Sequence, residues 1–357
     1  MTDTGEPCIL YGELYTKYKS EVISDIFSKT DIDTRKLVKS KANDVIIPCS
    51  GETAVDIATA RCVPYDNILL GGDLNIIRLY DCDGSFMSYQ LNGKRKYDLA
   101  KVAQGVSVVH LYGDHLKGVK TYNPCLEEQK KIAKLLSLLD ERIATQNKII
   151  EDLKKLKSAI IDYVINSIDA DFIKFSSLYE IAGEGGTPTT SNASFYDNGK
   201  IPFIKIDDLK KKYLTENKDF ITELGLQKSS AWLVPSRSIL FSNGATIGEI
   251  TITTYPVCTK QGILGIVPKS NIDVEFLYYF MSSSYFKKAV SRIVTEGTMK
   301  TAYLKDINSI RCPIPKKGKQ QEIAQMPSAL SSKIDFEQSI LKLFYAQKQY
   351  LLRQMFI

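Results

Sequence analysis

Two stretches of the chain carry a hydrophobic pattern regular enough to predict their structure. Residues 126–164, LEEQKKIAKLLSLLDERIATQNKIIEDLKKLKSAIIDYV, begin just after Pro124. Apolar residues recur there at alternating steps of four and three, the spacing of a coiled-coil seam. That seam reads Ile132, Leu136, Leu139, Ile143, Gln146, Ile150, Leu153, Lys157, Ile160 and Val164. Residues 317–355, just after Pro315, repeat it 191 positions later: Ile323, Pro327, Leu330, Ile334, Glu337, Leu341, Phe344, Lys348, Leu351 and Met355. Polar residues interrupt both seams at the same two steps, Gln146 with Glu337 and Lys157 with Lys348. Two unrelated amphipathic helices would share the heptads but not the breaks, so the pattern indicates an internal duplication.

The duplication extends upstream of each helix. NDVIIPCSGET (43–53) parallels RSILFSNGAT (237–246), each a β-rich run leading into a turn, Ser50-Gly51 or Asn243-Gly244. SFMSYQL (85–91), read as strand-like, parallels EFLYYFM (275–281). AQGVSVVHLYGDHLKGVKTYNP (103–124) parallels TEGTMKTAYLKDINSIRCPIP (295–315), and PCILYGEL (7–14) lies against PFIKIDDL (202–209). The predicted organisation is a domain over 1–123, a helix over 124–168, a domain over 169–315 and a helix over 316–357. The fold class is α+β: two similar α/β domains separated by two long helices that pair antiparallel, with a pseudo-twofold internal repeat. A helix of this length spans roughly 58 Å at 1.5 Å per residue, so the expected object is a dumbbell. Pro327 on the second seam predicts a helix that starts after Met326 or kinks there. The offset that pairs Pro7 with Pro202 pairs Met1 with Tyr196, leaving residues 172–195 without a counterpart. The first domain is therefore expected to be N-terminally short, with one sheet edge exposed.

Composition narrows the function. With 357 residues, 44% hydrophobic and 25% charged, the chain is an ordinary globular one of two or three domains. A net charge of +6 argues against an acidic DNA mimic and suits a polyanionic partner. The sequence shows no signal pattern and no run of 18 apolar residues, so a cytoplasmic protein without membrane association is expected. Seven cysteines lack any C-x-x-C pair, and the two histidines, His110 and His115, are too few for the usual zinc sites. No phosphate-binding loop, dinucleotide fingerprint or nucleophile–base pattern is present. The chain reads as non-catalytic, with no metal and no cofactor of its own.

What remains is contact chemistry. Lys36, Lys39 and Lys41 precede the strand expected at 44–49, Ser50 follows it, and NGKRKY groups Lys94, Arg95, Lys96 and Tyr97. The second domain offers Thr187, Lys205, Lys210, Asn243 and Thr246, with Thr298, Lys300 and Tyr303 in GTMKTAY. Lysine and arginine position a protein on phosphates, while Asn, Gln, Ser, Thr and Arg read base edges, so these are candidate DNA contacts. Ile149, Leu156 and Ile161 lie off the seam, beyond what a two-helix pair buries, and are candidates for docking a partner.

PCLEEQKKIAKLLSLLDERI (124–143) and PKKGKQQEIAQMPSALSSKI (315–334), with LYEIAGEGGTPTTSNASFYDNGKIPFIKIDDL (178–209), PCILYGELYTKY and AQGVSVVHLYGDHLKGV, resemble the specificity subunit of type I restriction–modification enzymes. The resemblance covers essentially the whole chain. It implies that each target recognition domain reads one half of a bipartite double-stranded DNA sequence. It also implies that the helices set the spacing and dock two modification subunits, which are methyltransferases using S-adenosylmethionine. A restriction subunit, an ATP- and Mg-dependent translocase and nuclease, would complete the assembly. The second helix departs from the pattern, with Lys319-Gln320 in place of an acidic-Gln pair. Competing readings are a structural coiled-coil bridge between two protein-binding domains, an autonomous nuclease or methyltransferase, and an inactive, recombination-derived shortened specificity subunit.

Overall fold

The computed structural model describes residues 4–32, 37–244, 246–294 and 300–356. They divide into two compact units, one of residues 1–149 with 337–357, the other of residues 150–336. The division falls within both long helices, Leu126–Asn166 and Lys317–Gln354, so each unit holds one mixed domain and a part of each helix.

Each helix start is fixed by one buried glutamine. The side-chain amide of Gln129 donates to the Pro124 carbonyl at 2.8 Å, and its oxygen accepts from the Asp83 amide at 2.9 Å. Gln320 repeats this, donating to the Pro315 carbonyl at 2.8 Å and accepting from the Asp273 amide at 2.8 Å. Asp83 and Asp273 in turn cap the helices Gly84–Asn92 and Val274–Ser282, their carboxylates accepting from the amides of Phe86 and of Glu275 and Phe276. A helix N-terminus leaves amides without partners, and these side chains satisfy them. The glutamine five residues after each proline, Gln129 after Pro124 and Gln320 after Pro315, thus ties a long helix to its domain.

The seams hold. Leu136, Leu139, Ile143, Ile150 and Ile334 are buried, and Ile132, Leu153, Ile160, Leu330, Leu341, Phe344 and Leu351 are half-buried. Of their polar breaks, Gln146 and Glu337 face one another, whereas Lys157 and Lys348 meet other residues. In the first unit Gln146 donates to both the carbonyl and the carboxylate of Glu337. In the same unit the Lys348 ammonium donates to Glu21 and to Asp140 at 2.5 Å each. In the second unit Lys157 meets the Ser331 hydroxyl at 3.5 Å.

The structure corrects three expectations. The second helix continues through Pro327 instead of starting after Met326. Residues 85–91 are helical rather than strand-like: Asp83 caps them, and Phe86, Tyr89 and Leu91 are buried on more than one face, which erases the helical period. Ile161 is only 4% exposed, packed in its unit's core with Ile165 and Ala324, and so is no docking residue. Where a domain covers a helix, the buried stripe widens beyond the seam.

The two domains share strand topology. In the second unit the antiparallel strands Ile250–Thr253 and Ile263–Pro268 flank Ile239–Ser242. In the first unit Arg61–Val63 and Leu74–Ile77 flank Asp44–Pro48 in the same way. A parallel pair also repeats, Cys8 with Leu69 in one unit and Phe203 with Cys258 in the other. One edge differs. Tyr179–Glu184 pairs with the far side of Ile263–Pro268, whereas no strand among the described residues pairs with the far side of Leu74–Ile77. Among the described residues no helix is long and apolar enough to cross a membrane.

Candidate nucleic-acid interface

In the second unit, loops from four parts of the chain meet where Ile239–Ser242 ends. The Asn243 amide donates to the Gly262 carbonyl at 3.0 Å, and the Asn243 carbonyl accepts from the Ala302 amide at 2.9 Å. The Asn243 side chain donates to the Ala302 carbonyl at 3.3 Å, and its buried oxygen has no hydrogen-bond partner among the described residues. The Gln261 amide donates to the Thr187 hydroxyl at 3.3 Å, and the Gly262 amide donates to Glu184 at 2.9 Å. Gly185 permits this convergence, because a Cβ there would stand 2.3 Å from the Thr259 carbonyl oxygen. Thr246, Lys260, Gln261, Lys300 and Tyr303 project from these loops as exposed side chains.

The first unit repeats the scaffold with other chemistry. The Cys49 amide donates to the Asp73 carbonyl at 2.8 Å, and the Cys49 carbonyl accepts from the Leu111 amide at 2.7 Å. These are the hydrogen bonds of Asn243 one repeat earlier. Ser50 donates to the Asp73 carboxylate, and Gly71-Gly72-Asp73 stands where the second unit has Lys260-Gln261-Gly262. The His110 ring stacks on Tyr112 at 5.7 Å between centroids, and His115 meets Tyr112 edge-on at 5.5 Å. Tyr112 is 51% exposed, a ring open to stacking.

Several sequence candidates lie elsewhere. Arg95 sits 4.9 Å over the Tyr122 ring and pairs with Asp98 at 3.4 Å, while Gly93 packs against the Leu352 backbone. This places Lys94, Arg95, Lys96 and Tyr97 beside the ends of the long helices in that unit. Arg95 is structural there; Lys94 and Tyr97 are exposed. Burial lowers the Lys96 pKa below the usual lysine value, so its charge is costly where it stands. Lys39 pairs with Glu6 at 3.0 Å, and Lys41 is exposed at the turn into Asp44–Pro48. Lys205 pairs with Asp219 at 2.8 Å and Lys210 with Asp207 at 3.1 Å, so that run carries little free positive charge. Lys36 and Thr298 lie outside the described residues.

A family profile described as the type I restriction modification DNA specificity domain matches residues 10–155 and 168–343. The chain belongs to this family. Over 173 residues it is 31% identical to the type I restriction enzyme MjaIX specificity subunit of Methanocaldococcus jannaschii, a match covering 47% of this chain and 39% of that one. To the MjaVIII specificity subunit of the same organism it is 25% identical over 353 residues, 92% of this chain and 80% of that one. Among solved structures, the type I system S subunit from M. genitalium aligns with a TM-score of 0.57 at 19% identity, covering 99% of this chain and 92% of the other. A chain from a structure described as showing complex assembly and conformational transition of the type I R-M system aligns at 0.60 and 16% identity, over 88% and 81%.

Between the two units of this specificity-family chain, the hydrogen bonds at the loop ends are the shared feature. Sequence reasoning reached Thr187, Asn243, Thr246, Lys300 and Tyr303 in one cluster and Ser50 in the other. It missed Lys260, Gln261, His110 and Tyr112. The TKQGI turn before an apolar run signalled the first pair. The second pair became visible only once His110 and His115 were seen to flank Tyr112.

Proposed function

We propose that this specificity chain is a non-catalytic DNA-recognition subunit whose two loop clusters each read one part of a bipartite double-stranded target. The observation that carries the proposal is the repeat of one loop scaffold, the hydrogen bonds of Cys49 and of Asn243, with different side chains on each copy. A shared scaffold with different projecting groups is what reading two different half-sites requires. Phosphate contacts would come from Lys260 and Lys300, and base-edge contacts from Gln261 and Thr246. In the first unit Tyr112 and His110 offer stacking and polar edges.

The helices offer the second surface. Ile149 is 41% exposed and Leu156 48% exposed, and in the first unit Leu135, Leu138, Phe344 and Leu351 line one groove. We assign this apolar face to two modification subunits. S-adenosylmethionine chemistry would belong to them, and ATP- and Mg-dependent translocation to a restriction subunit. If Ile149→Asp with Leu156→Asp leaves co-purification with the modification subunit unchanged, the assignment fails.

The DNA reading is tested by titrating the full chain, with its modification subunits, against duplexes carrying the target found by methylation mapping in the source cell. Affinity should fall linearly in log–log form with salt, and changes in either half-site should each weaken binding. Binding indifferent to both half-sites would overturn it.

A further inference from the structure

The first unit carries an apolar hairpin tip beside its loop cluster. The Gln104 amide donates to the His110 carbonyl at 2.9 Å, and the His110 amide donates to the Gln104 carbonyl at 2.7 Å. These reciprocal bonds close the chain over residues 105–109. Gly105 opens the turn at a φ of +125°, and a Cβ there would stand 2.1 Å from the Val108 carbonyl oxygen, so the return needs glycine. Val109 and Leu111 anchor the hairpin in the domain core. Val106 is left 99% exposed and Val108 53% exposed. The packing of the unit does not account for either side chain.

What the tip adjoins narrows what it touches. Val109–His110 pairs antiparallel with Ser50–Gly51, and the His110 ring stacks on Tyr112, so the tip continues the surface already assigned to DNA. Its chemistry differs from that of the second unit's cluster, where Lys260 and Lys300 project. Residues 105–108, Gly-Val-Ser-Val, carry no charge, and nearby Lys117 is paired with Asp114 at 2.6 Å. Phosphates are poor partners for such a tip. Base faces are reached only by unstacking, usually with longer wedges such as Phe or Leu, whereas valine is short and stiff at χ1. The minor groove is about 6 Å wide and displays no methyl group. The major groove, about 12 Å wide, admits a two-stranded ribbon and displays the thymine methyl group.

Resting on the DNA reading above, we infer that Val106 and Val108 are specificity-determining residues that pack against thymine methyl groups in the major groove of one half-site. The contact selects thymine over cytosine by an apolar group that cytosine lacks, without a hydrogen bond. The first unit thus recognises part of its half-site by shape, where the second unit offers Gln261 and Thr246 to base edges.

The test uses the full chain with its modification subunits and duplexes carrying the mapped target. Each thymine of both half-sites is replaced singly by deoxyuridine, which removes one methyl group and keeps every base-pairing edge. At one or more thymines of a single half-site, affinity should fall about fourfold, the worth of one buried methyl. Val106→Ser with Val108→Ser should abolish that difference, bind the deoxyuridine duplex as the parent does, and leave the salt slope unchanged because no phosphate contact is lost. Indifference to deoxyuridine in both half-sites overturns the inference, as does a target with no thymine in either. A deoxyuridine effect that survives the double substitution also overturns it. So does unstacking, seen as brightening of a fluorescent adenine analogue that depends on the valines, if deoxyuridine has no effect. In each of these cases a parent that still distinguishes its half-sites leaves the DNA reading standing; a parent indifferent to both removes that reading itself.

Discussion

Lys348 and Lys157 occupy the same step of the two seams, yet their surroundings differ. Lys348 stands between Glu21 and Asp140, and Tyr89 also donates to Asp140 at 2.7 Å. Position 140 is a serine one repeat later, Ser331, and position 21 becomes Lys212, which pairs with Glu275 instead. Burial opposes the charge on Lys348, but Glu21 and Asp140 overcome it and raise its pKa above 10.5; burial lowers that of Lys157. Lys348→Met should therefore cost about 3–5 kcal/mol, since two carboxylates lose their cation. Lys157→Met should change stability by less than about 1 kcal/mol, because burial outweighs the support that Asp335 gives its charge. Urea unfolding of both variants checks the contrast. A group with a raised pKa stabilises below its unfolded value, 10.5, and loses that contribution as pH climbs through the folded one. Above pH 10.5 the parent chain should lose stability more steeply than Lys348→Met. On the DNA side, Lys260→Ala and Lys300→Ala should each weaken binding evenly across sequences and reduce the salt slope by about one. Gln261→Ala should change the preferred base, read by methylation mapping.

At the scale of elements, the long helices were legible because a heptad seam is local and repeats many times. The face proposed for docking was legible only in part. Ile149 and Leu156 are exposed, but Ile161 is covered by its own domain, and no periodicity announces where a domain will fold back onto a helix. The helices at Gly84–Asn92 and Val274–Ser282 are buried so broadly that their sequences look β-like. The loop clusters were partly legible through turn residues such as Asn243-Gly244, whereas Gln261 and Tyr112 gain meaning only from the segments that pack beside them. Removing residues 143–149 together with 334–340 takes one heptad from each helix at equivalent places. The loss is about 10.5 Å, or roughly three base pairs at 3.4 Å each. Each half-site should be kept and the unread gap between them should shorten, by less than this where DNA untwists. Methylation mapping that returns the original gap would show that the helices do not set it.

For the whole molecule, the two units differ at the edges of their corresponding sheets. The second unit's main sheet has five strands, while the corresponding sheet of the first has three among the described residues. Amide exchange should be faster at Leu74–Ile77 than at Ile263–Pro268, because strand edges open more readily than paired strands. Equal protection would contradict this. The polar pair at the seam bears on a different matter, how unlike helices are told from like ones. Gln146 and Glu337 are the same position of the repeat, so a helix pairing with its own kind would set Gln against Gln or Glu against Glu. Two buried glutamates facing each other repel, and two glutamines forgo the charge-assisted bond that Glu337 receives. The difference between Gln146 and Glu337 thus favours the pairing of unlike helices over that of like ones.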